Sequence, residues 1–172
     1  IPGDQPLPAE THGLSHDNFV IVGHILVEHT GGDLSIGVHS DDGFGLRVVG
    51  GHFNSVHGAG ERDEAFPSII FHAGNTSDSD TRGILRDLPA GEYPIEFIAW
   101  EAIGGAFFQV YAAEGAFETD FANPENWFLI GDPAGPLRPL IGKDSDCDGI
   151  SDSYERSNGL AVMEPDADLD LD

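Results

Sequence analysis

The amino-acid sequence predicts an all-β protein: an antiparallel β-sandwich with a short C-terminal appendage. Three observations carry this. Short apolar runs recur along the chain, several with the period-two alternation of a half-buried strand. Glycine (23) and proline (11) are abundant and fall between those runs, as the turns of an all-β fold require. Hydrophobic residues make up 40% of the 172 positions, which suits one sizeable core plus an appendage.

Each element has its own signal. Residues 1–17 (IPGDQPLPAETHGLSHD) are rich in Pro, Gly and polar side chains and read as an extended arm. Residues 19–27 (FVIVGHILV) form a nearly continuous apolar run, the pattern of a buried strand, with Gly23 permitting a bend or bulge. Thr30-Gly31-Gly32-Asp33 is a turn. Residues 34–40 and 44–50 are strands on either side of the Asp41-Asp42-Gly43 tip. Residues 50–66 are polar and glycine-rich, a long loop with room for one irregular strand. Residues 67–73 (PSIIFHA) and 83–88 are further strands, separated by a polar loop. After the Leu88-Pro89-Ala90-Gly91-Glu92 turn, residues 93–100 carry apolar side chains on both alternating sets and read as a central strand. Glu101-Ala102-Ile103-Gly104-Gly105 is a hairpin-like loop, from which residues 106–113 return antiparallel. A last strand falls near residues 127–130. Residues 132–143 are proline-rich and read as a linker. The expected organisation is an arm (1–17), a sandwich (18–131), a linker (132–143) and an acidic segment (144–172).

Seven Lys+Arg against 31 Asp+Glu give 7 − 31 = −24. Such a chain repels nucleic acid and anionic membrane, so neither is expected as a partner. No run approaches the roughly 18 apolar residues of a membrane span, so no membrane insertion is expected. The acid excess suits a solvated surface, a salty medium or cation sites. Its clustering toward the C-terminus favours cation sites for part of it. The single cysteine, Cys147, excludes an internal disulfide, which an extracellular protein tolerates. The chain opens on Ile1 with no secretory leader, so a processed or excised segment is expected. Asn75-Thr76-Ser77 is a sequon, making Asn75 a candidate glycosylation site.

The strongest motif begins after Lys143. Asp144, Asp146, Asp148, Gly149, Ile150, Asp152 and Glu155 follow the D-x-D-x-D-G-x-x-D-x-x-E spacing of a twelve-position calcium loop. Asp144, Asp146 and Asp148 turn side-chain oxygens inward as the chain coils. Gly149 permits the sharp turn, and Ile150 offers its carbonyl. Asp152 binds directly or through water, and Glu155 closes the site with two oxygens. Pro136 and Pro139 exclude the long incoming helix of a paired EF-hand, while a short exiting helix ending at Asn158-Gly159 is expected. The loop is therefore a stand-alone clip, with the weak affinity of extracellular modules.

Ser40-Asp41-Asp42-Gly43-Phe44-Gly45 is the second candidate. Two adjacent carboxylates repel unless a cation sits between them, and glycines let the backbone wrap a hard, oxygen-seeking ion. Asp and Gly are also ordinary residues of a solvated turn.

Two resemblances add to these readings. Residues 144–172, with the acidic loop, the Tyr154-Glu155 helix start, Gly159-Leu160 and the second acidic run 166–172, resemble bacterial thrombospondin type 3 repeats, the second loop being cut short. The pieces HSDDGFGLRVVGG and LPAGEYPIEFIAWEAIGGAFFQVYAA make residues 18–131 similar to the fourteen-kilodalton domain first named in anthrax protective antigen and shared by yeast flocculins and bacterial adhesins. That resemblance implies a β-sandwich. In its lectin members the aspartate pair forms a cis peptide and chelates a calcium ion that binds sugar hydroxyls, roles that would fall to Asp41 and Asp42. The lectins supply an asparagine from a second loop. Here Glu101 stands in that loop, either as a replacement ligand or as a surface charge, beside Trp100, which either stacks on a sugar or packs in the sandwich.

The expected function is a calcium-dependent carbohydrate-binding or adhesion module of a secreted or cell-surface protein, with glycans as partners. The alternative is a structural module or filament subunit that contacts neighbouring copies and uses calcium for rigidity. Catalysis is not expected. None of His12, His16, His24, His29, His39, His52, His57 and His72 falls in a metal-hydrolase signature, and there is no nucleophile elbow or phosphate loop.

Overall fold

A computed structural model describes residues 19–102, 106–119 and 125–140. The expected arm (1–17) and the acidic segment (144–172), with its calcium loop and short helix, lie outside the described residues. Among the described residues the regular elements are all strands. In chain order they are β1 (Phe19–His29), β2 (Gly32–Asp41), β3 (Gly43–Val48), β4 (Ser55–Gly58), β5 (Glu61–Arg62), β6 (Ile69–His72), β7 (Ser79–Leu88), β8 (Gly91–Glu101), β9 (Phe107–Glu114), β10 (Phe128–Leu129) and β11 (Leu137–Pro139). They form two antiparallel sheets. One is six-stranded in the order β11-β1-β8-β3-β6-β5, and the other five-stranded in the order β10-β9-β2-β7-β4. The sheets pack face to face over Val27, Leu34, Ile36, Val38, Phe44, Leu46, Val48, Ile70, Leu85 and Ile95, all essentially without solvent contact. The protein is an all-β sandwich, as the short runs and turn residues predict.

The two sheets treat their outer faces differently, and this inverts two strand readings. β1 looks continuously apolar, yet only one face is inside. Val20, Val22, His24, Leu26 and Glu28 are exposed, while the intervening residues are buried or half-buried. Nothing among the described residues covers that outer face. β2 looks alternating, yet residues 34–38 are all buried. Its outer side is roofed by the chain after β9. The Ser35 hydroxyl donates to the Gly115 carbonyl (2.7 Å) and accepts the Phe117 N–H (2.9 Å). Phe117 and Trp127 then pack together over Tyr111 and Ala113.

The hairpin expected around residues 101–105 does not form, and the strands on either side of the Asp41-Asp42-Gly43 tip do not pair with each other either. β2 and β9 pair with each other in the five-stranded sheet, and β3 and β8 pair in the other. Both connections therefore cross between sheets at the same end of the sandwich. Apolar content on both alternating sets cannot separate a hairpin from such a crossover, because each strand packs inward either way.

Three further segments carry more structure than their composition suggests. Residues 50–66 hold β4, β5 and Phe53, whose ring is fully buried in the core. β7 starts at Ser79 and not at residue 83, its polar first half pairing with β2. The segment 132–143, read as a linker, holds β11, which pairs with Val27, Glu28 and His29 of β1. Leu137 is 2% exposed, so the sandwich continues past residue 131, and the compact unit ends at Pro139. Proline at residue 139 ends a strand at the sheet edge, where proline is tolerated.

Candidate metal centre at the sheet-to-sheet corner

Asp41 ends β2 in one sheet, and Gly43 begins β3 in the other. The chain crosses the sandwich through Asp42 alone, and the Asp41–Asp42 peptide bond is cis, the geometry that the resemblance implies for this pair. Gly43 is needed where it stands. A Cβ there would lie 2.0 Å from the Trp100 ring and 2.7 Å from the His72 carbonyl, so only glycine passes beneath the indole.

The register explains how a distant residue joins the corner. Gly43 pairs with Trp100 between β3 and β8. In an antiparallel ladder the next pair runs the opposite way on each strand, so Asp42 falls beside Glu101. Carboxylate oxygens of Asp41, Asp42 and Glu101 all lie within 4.8 Å of one another. Asp42 (3% exposed) and Glu101 (2%) are buried, and Asp41 is half-buried. Burial pushes the Asp41 carboxyl above the usual carboxylate range, and the charges of Asp42 and then Asp78 push it further the same way. A site that raises the cost of its own negative charge is one that a cation relieves.

Backbone donors hold Asp42 in place. Its Oδ1 accepts the Thr76 N–H (2.7 Å) and its Oδ2 the Ala102 N–H (2.8 Å). One carboxylate thereby ties together the β6–β7 loop, the end of β8 and the corner itself. The Ser40 hydroxyl donates to the Asp42 carbonyl (3.1 Å), and the Ser79 hydroxyl to the Ser40 carbonyl (3.3 Å). Next to the corner, the Asp78 and Asp80 carboxylates flank His39. Its Nδ1 lies 2.7 Å from Asp80 and its Nε2 3.3 Å from Asp78, and its ring stacks on Phe107.

Chemically, three carboxylates with no nitrogen or sulfur ligand suit a hard divalent cation, and calcium above zinc. Their three negative charges more than balance the ion. They supply part of the six to eight oxygens that calcium takes, leaving positions for water or for hydroxyls of a ligand. Asp41, with Phe19, Ser40, Trp100 and Phe107, borders a pocket of about 10 Å³, room for one water and no more.

The remaining sequence candidates fall as follows. Trp100 and Glu101 are consecutive in β8, so their side chains point to opposite faces. Glu101 enters the corner, while Trp100 lies half-buried over Gly43 on the outer face of the six-stranded sheet. It is thus not inside the sandwich. Asn75 is exposed in the β6–β7 loop, one residue before the amide that holds Asp42. Asp144, Asp146, Asp148, Ile150, Asp152 and Glu155 lie outside the described residues. Sequence reasoning did not find the Thr76 and Ala102 amides or Asp78, since backbone donors and loop closure leave no compositional trace.

Comparison of the chain with protein-family models, with curated proteins and with solved structures finds no match.

Proposed function

We propose that the protein is a calcium-dependent carbohydrate-binding module of a secreted or cell-surface adhesion protein. The observation that carries this reading is the convergence of Asp41, Asp42 and Glu101 within 4.8 Å. Calcium at the corner is held by those three side chains, and two neighbouring hydroxyls of a glycan replace its waters on the less buried Asp41 side. The SDDGF corner and its similarity to flocculin-type lectins support the same assignment. The 144–155 loop is assigned a second calcium through Asp144, Asp146, Asp148, the Ile150 carbonyl, Asp152 and Glu155, on the strength of its spacing. That ion stiffens the chain and takes no part in sugar binding.

The burial of Asp42 and Glu101 favours a second reading. An ion enclosed by the protein can serve to lock the corner, the end of β8 and the β6–β7 loop together, in a structural module or filament subunit. A glycan array in millimolar calcium separates the two, run beside Asp41→Ala/Asp42→Ala and an EDTA control. Retention lost in both controls supports the lectin reading. Calcium that raises Tm through the corner while no glycan is retained supports the structural one.

A further inference from the structure

Among the described arginines, Arg82 stands apart. Arg47 pairs with Glu96 (3.3 Å), and Arg86 with Asp33 (2.9 Å) and Glu118 (3.3 Å). Arg62 donates to the Phe53 and Asn54 carbonyls, and Arg138 is exposed on β11. Arg82 is half-buried in β7, and its Nε is enclosed without a hydrogen-bond partner. An enclosed donor left without an acceptor is destabilising. No carboxylate or carbonyl among the described residues pairs with its guanidinium. Acids are not lacking in a chain with 31 Asp+Glu. Asp80 stands two residues back on the same face, yet its carboxylate is taken by His39 (2.7 Å). Thr81 and Gly83 face the core on either side of Arg82: Thr81 is buried, and a Cβ on Gly83 would strike the Phe53 ring at 2.5 Å. Arg82 therefore points to the outer face of the five-stranded sheet. On β4, the edge strand of that sheet, His57 is its direct partner, so the two side chains start about 5 Å apart. The Ser55 hydroxyl lies 3.3 Å from His57 Nε2. With that hydroxyl donating, the neutral ring carries its proton on Nδ1, a second donor beside the guanidinium.

We infer that Arg82 and His57 hold an oxyanion, a carboxylate or a sulfate ester, carried by a glycan. For the carrier, though not for the anion, this rests on the carbohydrate reading. Charge and shape select the ligand class. A guanidinium presents planar, paired N–H groups that match carboxylate and sulfate oxygens two at a time, and a neutral sugar supplies no charge to meet it. The position suits an extended ligand that also reaches the corner. Ser79 pairs with Ser40, next to Asp41. Arg82 lies three residues further along β7, about 10 Å at the rise of a strand, a distance that an oligosaccharide spans. The net charge of −24 repels anions from afar. Physiological salt screens that repulsion beyond about 8 Å, whereas Arg82 acts at contact.

Two measurements on the full chain, at about 0.15 M sodium chloride, test this. The first needs neither glycan nor variant. Sodium sulfate and sodium acetate are titrated into the isotope-labelled chain in EDTA, and the Arg82 Nε–H and His57 ring signals are followed by NMR. Both should shift saturably with at least one of the two anions. Signals that stay in place with both overturn the proposal. The second is a glycan array in millimolar calcium that presents one sugar backbone in neutral, uronate and sulfated forms. One acidic form should be retained about tenfold more strongly than the neutral form, the gain of a charge-assisted hydrogen-bonded pair. Arg82→Gln should bring it down to the neutral level, and the uronate and sulfate arms identify the anion. Equal retention of all three forms overturns the proposal, as does a preference that Arg82→Gln leaves intact. If no form is retained while sulfate or acetate still shifts Arg82, the carbohydrate reading falls and the anion site stands.

Discussion

Asp42 and Glu101 lie one register step beyond the Gly43–Trp100 pair, and that single step turns two strand ends into one site. The carboxylates belong to residues far apart in sequence. β3 and β8 are antiparallel neighbours, so the start of one and the end of the other coincide. Asp41 enters from the opposite sheet, because the chain changes sheets through Asp42. The corner is thus a fixed meeting point of both sheets, and the Asp42 carboxylate bonds it to two loops.

Calcium should stabilise the protein through this corner. The test uses the full chain carrying Asp146→Ala and Asp148→Ala, so that the C-terminal loop does not contribute. Calcium at about one hundred times its Kd should add about 2.7 kcal/mol, read as a rise in Tm. Glu101→Gln removes one of three carboxylates and should weaken calcium affinity by about tenfold or more, since ligand charge count tunes such sites. An unchanged affinity would take Glu101 out of the ligand set.

Without calcium, the order of stability should reverse at Asp41. Its folded-state pKa is raised by burial first, then by Asp42 and Asp78. A raised carboxyl pKa contributes stability that is fully present below the unfolded value of 3.8 and is lost as pH rises through the folded value. In EDTA near neutral pH, Asp41→Asn should therefore melt above the unsubstituted chain, because it removes the repelling anion. The gap should close on acidification. In saturating calcium the substitution should be destabilising. Urea unfolding at several pH values, with and without EDTA, checks all three statements.

The sandwich was legible in the sequence because alternation and turn residues are local. β1, β2, β3, β6, β8 and β9 lie within a few residues of their apolar runs. What covers a sheet is not local. β1 reads as buried yet exposes Val22, and β2 reads as half-buried yet is enclosed by the chain around Phe117 and Trp127. The same limit hid Phe53. One aromatic among polar and glycine neighbours gives no period, although it fills the core completely. The Asp41-Asp42 pair and Glu101 stood out by residue type and by resemblance. Their convergence depends on strand order, which composition does not encode.

Phe53→Ala should therefore behave as a core deletion and not as a loop change. Its ring is wholly buried, so truncation should cost about 3–5 kcal/mol. Urea midpoints measure it. A loss below about 1 kcal/mol would mean that the 50–66 segment packs less tightly than an interior does.

Trp100→Ala separates packing from sugar contact. The indole covers Gly43 on the outer sheet face, and it points away from Glu101. Truncation should lower stability by about 2 kcal/mol through lost apolar burial, while calcium affinity stays nearly constant. Glycan retention lost at unchanged Tm would instead assign the ring to the sugar.

Asp33 supplies the opposite pH signature at the far end of the sandwich. Its carboxylate accepts the Asp87 N–H (2.9 Å) and pairs with the Arg86 guanidinium (2.9 Å). Asp87 has a left-handed backbone, φ 48°, a conformation that aspartate tolerates better than most residues. The bond from its amide is the main cause holding the Asp33 pKa below the usual range. Burial opposes it as the next largest effect, and the hydrogen bond and charge of Arg86 lower the pKa further. A lowered folded pKa contributes stability that is fully present above the unfolded value of 3.8 and is lost as pH falls through the folded value. Asp33→Asn should thus lower the urea midpoint at neutral pH, because the amide nitrogen turns a donor toward one of two donors. Toward strong acid the two proteins should converge, since the native carboxyl is then protonated and has lost its charge. A constant gap across the pH range would show that Asp33 acts through shape and not through ionisation.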